Sequence, residues 1–314
     1  MPVTRAQFLA LLEPGLRDIK SDNNYPRRAP IYPAFYGEMV NSKKAQETFQ
    51  EIAGLGDFQV KTEGGNVTYT DPINGNQVVL THTRRSNGYR ITQEMIDHKQ
   101  YQEALNLERD LQIAGDEDLE VAGHLVLNNA FSTTDNDAYG FEATGFDSLA
   151  LCSTAHTRLD GGATQANRPA TDVDIGWTAL ADAYIQFGLW RDHRGRRIVF
   201  RPAKLICHPN DGFTAREVLG SANKPYTPNN EINAMTGRGL TMDDIIETPY
   251  LTDTDSWFLL AEKSMLPTKW FWDVLPRTAM EDDFDTEIIK RKRVHGFSLG
   301  HNTWTGVYGT SGAA

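Results

Sequence analysis

Residues 151–162, LCSTAHTRLDGG, gather Cys152, Ser153, His156 and Asp160 in one short stretch. A nucleophilic centre needs such groups: a thiolate or alkoxide, a base within hydrogen-bonding reach, and a group that orients the base. The four-residue spacing brings Cys152 to His156 only in a helix, whereas HTRLDGG predicts a turn. Catalytic cysteine and histidine also tend to come from segments far apart in sequence. A cysteine hydrolase using Cys152 and His156 is therefore the minor reading. Ser153, Thr154 and Asp160 are expected to hydrogen-bond the backbone of a turn.

The remaining chemistry-bearing residues form no stronger pattern. Histidines 82, 98, 124, 193, 208, 295 and 301 show no HxxxH or HExxH spacing, and no CxxC is present. His295 and His301 flank one expected strand, but two ligands without a third make no metal site. Gly237 and Gly239 lack the third glycine and the preceding strand of a phosphate loop. Arg191, Arg194, Arg196, Arg197 and Arg201 form one basic cluster and Lys290 to Arg293 another. Both read as solvated surface or intersubunit salt bridges, since nucleic-acid binding would require them to share a face. No enzyme site, cofactor or metal is expected.

The elements that would carry these residues are more informative. The chain has 314 residues, enough for one large domain or two smaller ones with a substantial core. It is 39% hydrophobic with a formal net charge of −11, which disfavours a surface built to grip nucleic acid through its phosphates. Its two cysteines, Cys152 and Cys207, are too few for a disulfide framework and are expected to be buried thiols. No apolar run reaches the roughly 20 residues that span a bilayer. Phe8, Leu11, Leu12 and Leu16 predict an amphipathic helix over residues 5–20 rather than a signal peptide, which places the protein in the cytoplasm that made it.

SDNNYPRRAPIYPAFYGE follows, with Tyr25, Tyr32, Phe35 and Tyr36 among three prolines. Such an extended aromatic arm needs a surface to lie on, its own domain or a neighbouring subunit. Residues 57–93 are β-rich, and Asn74-Gly75 between NVTYT and QVVLTHT predicts a hairpin turn. A lone two-stranded arm is marginal in water, so it is expected to pack on another copy of the chain. Removal of residues 66–83 should then leave a folded subunit. Near-helical spacing from about Thr92 to Phe131 predicts one helix of roughly 60 Å, interrupted by Gly115 and Gly123. A second helix, Asp174 to Leu189, presents Trp177, Leu180, Ala181, Tyr184 and Gly188. Beyond it come apolar runs around Pro202, a helix with Asp211 as a possible cap, and the strands DIIETPYL, SWFLLAE and TKWFWDVL. The tail alternates like a strand or strand pair.

This order of elements resembles the major capsid protein of tailed phages, the Hong Kong 97 capsid fold. LCSTAHTRLDGG, followed by an asparagine and the helix DVDIGWTALADAYIQF, is similar to the Leu-x-Ser-x-x-His stretch of Mu-like major head subunits. RRIVFRPAKLICHPND and IIETPYLTDTDSWFLLAE resemble strands of that family's axial domain. The resemblance implies an α+β fold with an N-terminal arm (1–56), an extended hairpin loop (57–93), a peripheral domain with a spine helix (94–197), an axial domain (198–278) and peripheral return strands (279–314).

It also implies a function. Copies would assemble as hexamers and pentamers into an icosahedral phage head around double-stranded DNA, located in the virion and, during assembly, in the host cytoplasm. Expected partners are other copies, a separate scaffolding protein, a portal and a decoration protein. DNA would be contacted weakly and without sequence specificity, and no membrane is involved. An encapsulin-like compartment enclosing protein cargo shares the fold and is the alternative shell. Lys61 is the only lysine of the hairpin, and covalent cross-linking through it is not expected. The candidate intersubunit contacts are Val67, Tyr69, Val78, Leu80, Arg84, Arg85, Arg90, Tyr25, Tyr32 and Tyr36.

Overall fold

WFLLA, residues 257–261, has no polar alternation, and a computed structural model of the chain, which describes residues 29–98, 101–225, 231–237, 239–283 and 288–313, shows why. Strand β8 (Trp257–Ala261) is central in a four-stranded sheet of order β11-β8-β6-β7, formed with β6 (Pro202–Cys207), β7 (Ile245–Glu247) and β11 (Val307–Thr310). Both faces of the sheet are covered. Trp257, Leu259 and Leu205 face a core made with helix α3 (Trp177–Leu189) and helix α4 (Gly212–Gly220). Phe258, Leu260 and Ile206 face a second core shared with the rest of the molecule. A strand buried on both sides must be apolar at every position.

The second core is roofed by a five-stranded sheet. Strand β9 (Thr268–Asp283) pairs antiparallel with β10 (Ile288–His301), parallel with β1 (Glu38–Asn41), and β10 pairs with β4 (Thr83–Ile91) and β5 (Phe141–Glu142). A short helix, α1 (Gln93–Asp97), precedes α2 (Tyr101–Asn128), the spine helix, which packs on β10 and β4. The expected single helix is thus shorter, about 42 Å at 1.5 Å per residue.

Its two glycines are contact points rather than breaks. A Cβ on Gly115 would lie 2.5 Å from the Arg293 guanidinium, and one on Gly123 would lie 2.1 Å from Cβ of Tyr32. Close approach offsets the intrinsic helix penalty of glycine. That approach seats the aromatic arm. Ile31 and Tyr32 donate backbone N–H bonds to the Glu120 carboxylate at 2.7 and 3.2 Å, and the Tyr36 hydroxyl donates to the Gly123 carbonyl at 3.0 Å. Trp270 receives Tyr32, Tyr36 and Phe297 at ring distances of 4.9, 5.3 and 4.6 Å. The arm lies on its own domain.

The hairpin differs from expectation. Asn74 and Gly75 are not a turn but lie inside one continuous strand, β3 (Ile73–Thr81), with Asn74 opposite Ile52 of β2 (Gln46–Ala53). A type I′ turn needs positive φ at both central residues, and neither has it. Gly75 instead leaves room for the Glu51 carboxylate, which would lie 2.1 Å from a Cβ there and would have to shift. The arm is therefore built from β2 and β3, joined by residues 54–72. The segment after Thr81 leaves it to enter the five-stranded sheet as β4.

Two smaller expectations also shift. Asp211 precedes α4 but makes no side-chain capping bond. Helix α3 buries Leu180, Ala183 and Phe187, with the expected Trp177, Ala181 and Tyr184 partly buried against the same core, whereas Gly188 is exposed. The predicted amphipathic helix over 5–20 and Tyr25 fall outside the described residues.

Candidate functional site

LCSTAHTRLDGG is a turn-rich stretch anchored by the buried Leu151, Cys152 and His156, with its Asp-Gly-Gly end exposed. Cys152 belongs to the core shared by the spine helix and both larger sheets, and full burial pushes its thiol far above the ordinary range. That is the opposite of an activated nucleophile. His156 is completely buried and stacks on Trp304 at 4.6 Å. Its Nδ1 lies 2.5 Å from the Asp147 carboxylate and its Nε2 2.9 Å from Oδ1 of Asn167.

Asn167 is fixed in orientation because its amide nitrogen donates to the carbonyls of Leu151 and Val307 at 2.7 and 2.9 Å. Its Oδ1 therefore faces the ring as an acceptor, and both imidazole nitrogens are engaged by neighbouring side chains. Burial pushes the Asp147 carboxyl up, but its hydrogen bond and attraction to His156 hold it below its usual range. Ser153 Oγ accepts from the Ala155 N–H, and Asp160 accepts from the Gly162 N–H and Arg158. These are turn bonds, as their spacing predicted.

The basic clusters resolve into internal and exposed members. Strand alternation sends Arg291 and Arg293 toward the spine helix and Lys290 and Lys292 to solvent. Arg291 is bound bidentately by Glu108, and Arg293 donates to the Gln112 carbonyl and to Asp116, both at 2.7 Å. Arg85, from β4, forks onto Asp118 and lies over the Tyr139 ring. His295 Nε2 lies 2.9 Å from the same carboxylate. Burial pushes Asp118 up, yet the bonds from His295 and Arg85 draw it down to about 2. Arg84 pairs with Asp273 at 2.7 Å, while Arg90 is exposed on β4.

The hairpin carries a run of exposed apolar residues at its tip. Its root is well held. Val78 and Leu80 are buried with Phe146, Phe271 and Phe49. Asn76 donates to the Phe146 carbonyl at 2.8 Å. Arg194 donates to the carbonyls of Gly54 and Asp71 at 2.8 and 2.7 Å, clamping the two ends of the tip loop. Glu51, its carboxyl raised by burial and partly drawn back by His193, meets that histidine at 3.1 Å.

Beyond this root the tip exposes Leu55, Phe58, Val60, Val67 and Tyr69. Phe58 is 107% and Tyr69 90% exposed. A cluster of this kind marks an interaction surface. Of the sequence-stated contact candidates, Val67 and Tyr69 lie on this tip, whereas Val78, Leu80, Tyr32 and Tyr36 are occupied within the chain. Arg84 and Arg85 likewise have partners of their own. Sequence reasoning missed Phe58, Val60 and Leu55, although three apolar residues among Gly, Asp, Gln and Lys were visible. It also missed Arg194, Glu51 and His193, whose pairing depends on contacts across more than a hundred residues.

Comparison with known proteins agrees with this architecture. The model of the phage capsid protein family matches residues 76–309. Among solved structures, the capsid of a native GTA particle superimposes with a TM-score of 0.56 at 9% identity, covering 92% of each chain. The capsid of cyanophage P-SCSP1u gives 0.55 at 10% identity, covering 90% of this chain and 88% of the other. That of Mycobacterium phage Patience gives 0.51 at 11%, covering 98% and 89%. At such identities these likenesses show the fold. No curated protein sequence matches significantly. With the family model spanning most of the sequence, from within β3 into β11, the chain belongs to the phage capsid protein family.

Proposed function

We propose that this chain is the major capsid protein of a tailed phage and that its copies assemble as hexamers and pentamers into an icosahedral shell around double-stranded DNA. The observation that carries the reading is the hairpin: a root fixed by buried contacts and the Arg194 clamp, presenting an apolar tip that nothing among the described residues covers. Apolar area left in water is recovered when a second copy buries it, at about 25 cal/mol per Å². In the shell, Phe58, Val60, Val67 and Tyr69 pack on a neighbouring subunit, and Arg90, exposed on β4, pairs with a neighbour's carboxylate. A weak contact repeated at every interface is enough to close a shell.

In this reading the five-stranded sheet with its spine helix is the peripheral domain and the four-stranded sheet with α3 and α4 the axial one, which moves α3 and β11 into the axial unit and β9 into the peripheral one relative to the expected bounds 94–197, 198–278 and 279–314. The role is structural rather than catalytic, which the buried Cys152 and doubly committed His156 support. The protein resides in the virion after assembly in the host cytoplasm. A separate scaffolding protein, a portal and a decoration protein are its other partners, and DNA is contacted weakly, consistent with the net charge of −11. No helix among the described residues is long and apolar enough to cross a membrane. Kinship with Mu-like head subunits rests on the wording of LCSTAHTRLDGG alone.

Negative-stain electron microscopy of the purified full-length protein tests the reading. Closed particles or capsomer-sized rings are expected. A protein that stays monomeric at high concentration, in the presence of its scaffolding partner as well, would overturn it.

A further inference from the structure

Two Asn-Gly pairs occur in the chain, Asn74-Gly75 and Asn87-Gly88. The dipeptide has a chemistry of its own. The backbone nitrogen that follows an asparagine can attack the side-chain carbonyl carbon, and glycine, lacking a Cβ, leaves that approach open. Both pairs lie in strands, the first in β3 and the second in β4, yet the fold surrounds them differently.

At Asn87 the reacting groups are already together. The Gly88 N–H donates to Oδ1 of Asn87 at 2.8 Å, which holds the nitrogen against the amide it would attack. β4 is the last strand of its sheet, and Asn87 is exposed. The charges nearby are positive: on β10, Arg293 stands opposite Asn87 and Lys292 opposite Gly88. Arg85 shares the Asn87 face of β4 by strand alternation. Attack requires the Gly88 amide to lose its proton and then builds an oxyanion on Cγ, and cations favour both. Packing also requires this glycine, since a Cβ there would lie 2.5 Å from the Arg291 carbonyl oxygen.

At Asn74 the surroundings are reversed. Asn74 is paired opposite Ile52, and the Glu51 carboxylate lies 2.1 Å from where a Cβ on Gly75 would stand. A negative group beside the amide opposes both its deprotonation and the oxyanion.

We propose that Asn87-Gly88 is a site of spontaneous deamidation in the folded subunit, and that the same fold shields Asn74-Gly75. The Gly88 nitrogen, its proton taken by hydroxide, bonds to Cγ of Asn87. The Cγ–Nδ2 bond breaks, and ammonia leaves with a proton from water. A further water opens the cyclic imide at either carbonyl, giving aspartate or isoaspartate. In sum one water is consumed, and a neutral amide becomes a carboxylate and an ammonium ion. The new charge has a place to go: position 87 lines a cavity of about 470 Å³ whose wall also holds Arg85, Arg293 and His295.

Incubation of the full-length protein at mildly alkaline pH, followed by peptide mapping with mass spectrometry, tests this. In the folded protein, deamidation at Asn87 is expected about three- to tenfold faster than at Asn74, the range that one or two exposed unit charges supply. In concentrated urea, where neither pair keeps its surroundings, the two rates should converge. Lys292 is exposed, and Lys292→Gln should slow the reaction at Asn87 about twofold while leaving Asn74 unchanged. Equal or reversed rates in the folded protein, or reaction at Asn87 only in urea, would overturn the proposal. An unchanged rate in Lys292→Gln would remove the cations from its explanation. The readout is chemical and is made on the subunit, so it stands or fails whether or not the protein forms shells.

Discussion

The junction between the spine helix and β10 and the tip of the β2–β3 hairpin invert what their compositions advertise. The junction is dense in charge, with Glu108, Asp116 and Asp118 on the helix facing Arg291, Arg293, Arg85 and His295 on the strands. These groups pair with one another across the junction and so tie helix to sheet. The tip carries few charges and ordinary apolar residues, yet there Phe58, Val60 and Tyr69 stand in water. Charge that looks like an interface can be internal, and a plain loop can be the surface that needs a partner. What separates them is whether the fold supplies a second face.

The largest effect should come from removing the tip. Replacing residues 55–70 with a short turn leaves β2 and β3 paired, so the subunit should keep its circular dichroism and unfolding midpoint while closed shells disappear in electron micrographs. Normal particles would remove the tip from the assembly surface. A deletion of 66–83 is no longer an equivalent test, because it takes out β3 with the buried Val78 and Leu80.

Next is the junction. Arg291→Met leaves Glu108 buried without its cation and should cost about 3–5 kcal/mol in urea unfolding of the subunit. A loss below about 1 kcal/mol would mean that the pair is not a lock.

Acid should loosen a different contact. His124 is wholly buried, with Nδ1–H donating to the Glu120 carbonyl at 2.7 Å and Nε2 accepting from Thr248 at 2.8 Å. Burial, partly offset by that carbonyl, lowers its pKa from 6.5 to about 4. The unfolded chain therefore binds the proton more readily, so stability is full above pH 6.5 and falls as the pH drops toward 4. The loss from His124 approaches about 3 kcal/mol at the lower limit. His301, lowered to about 4 by burial, adds to the same window. His124→Gln should flatten the pH dependence of the urea midpoint between pH 7 and 4.5, and an unchanged slope would exclude His124 as a contributor.

Asp118 acts lower still. Its folded value of about 2 lies below the ordinary 3.8, so its contribution is present above pH 4 and is lost as the pH falls through 2. After allowance for its partial exposure it is worth about 1 kcal/mol, which Asp118→Asn should remove at neutral pH. The smallest effect belongs to Arg84→Ala. Its side chain is well exposed beside Asp273, and the unfolding midpoint should not move measurably.

Much of the fold is legible in local pattern. The spine helix follows from apolar spacing between residues 101 and 128, and WFLLA announces a strand covered on both faces. The turn character of LCSTAHTRLDGG is visible in its Asp-Gly-Gly end. The hairpin is harder. Asn74-Gly75 carries a strong short-range turn signal, yet the fold draws both residues into strand β3, where the Glu51 carboxylate lies close against Gly75. Likewise Arg291 and Lys292 are neighbours of the same charge. Only the partner strands and the helix beneath decide that one is buried and the other solvated.

By itself the sequence determined the kinds of element, their order and the absence of a local catalytic pattern, because helix periodicity, strand alternation and loop chemistry are set by residues a few positions apart. Tertiary structure decided which strands pair, which arginines are internal, and which apolar residues remain uncovered. Those outcomes depend on groups such as Arg194 and Gly54, or Glu108 and Arg291, that lie far apart in sequence and meet only when the sheets close. The tip of the hairpin stands exposed for the same reason: among the described residues no second face packs on it.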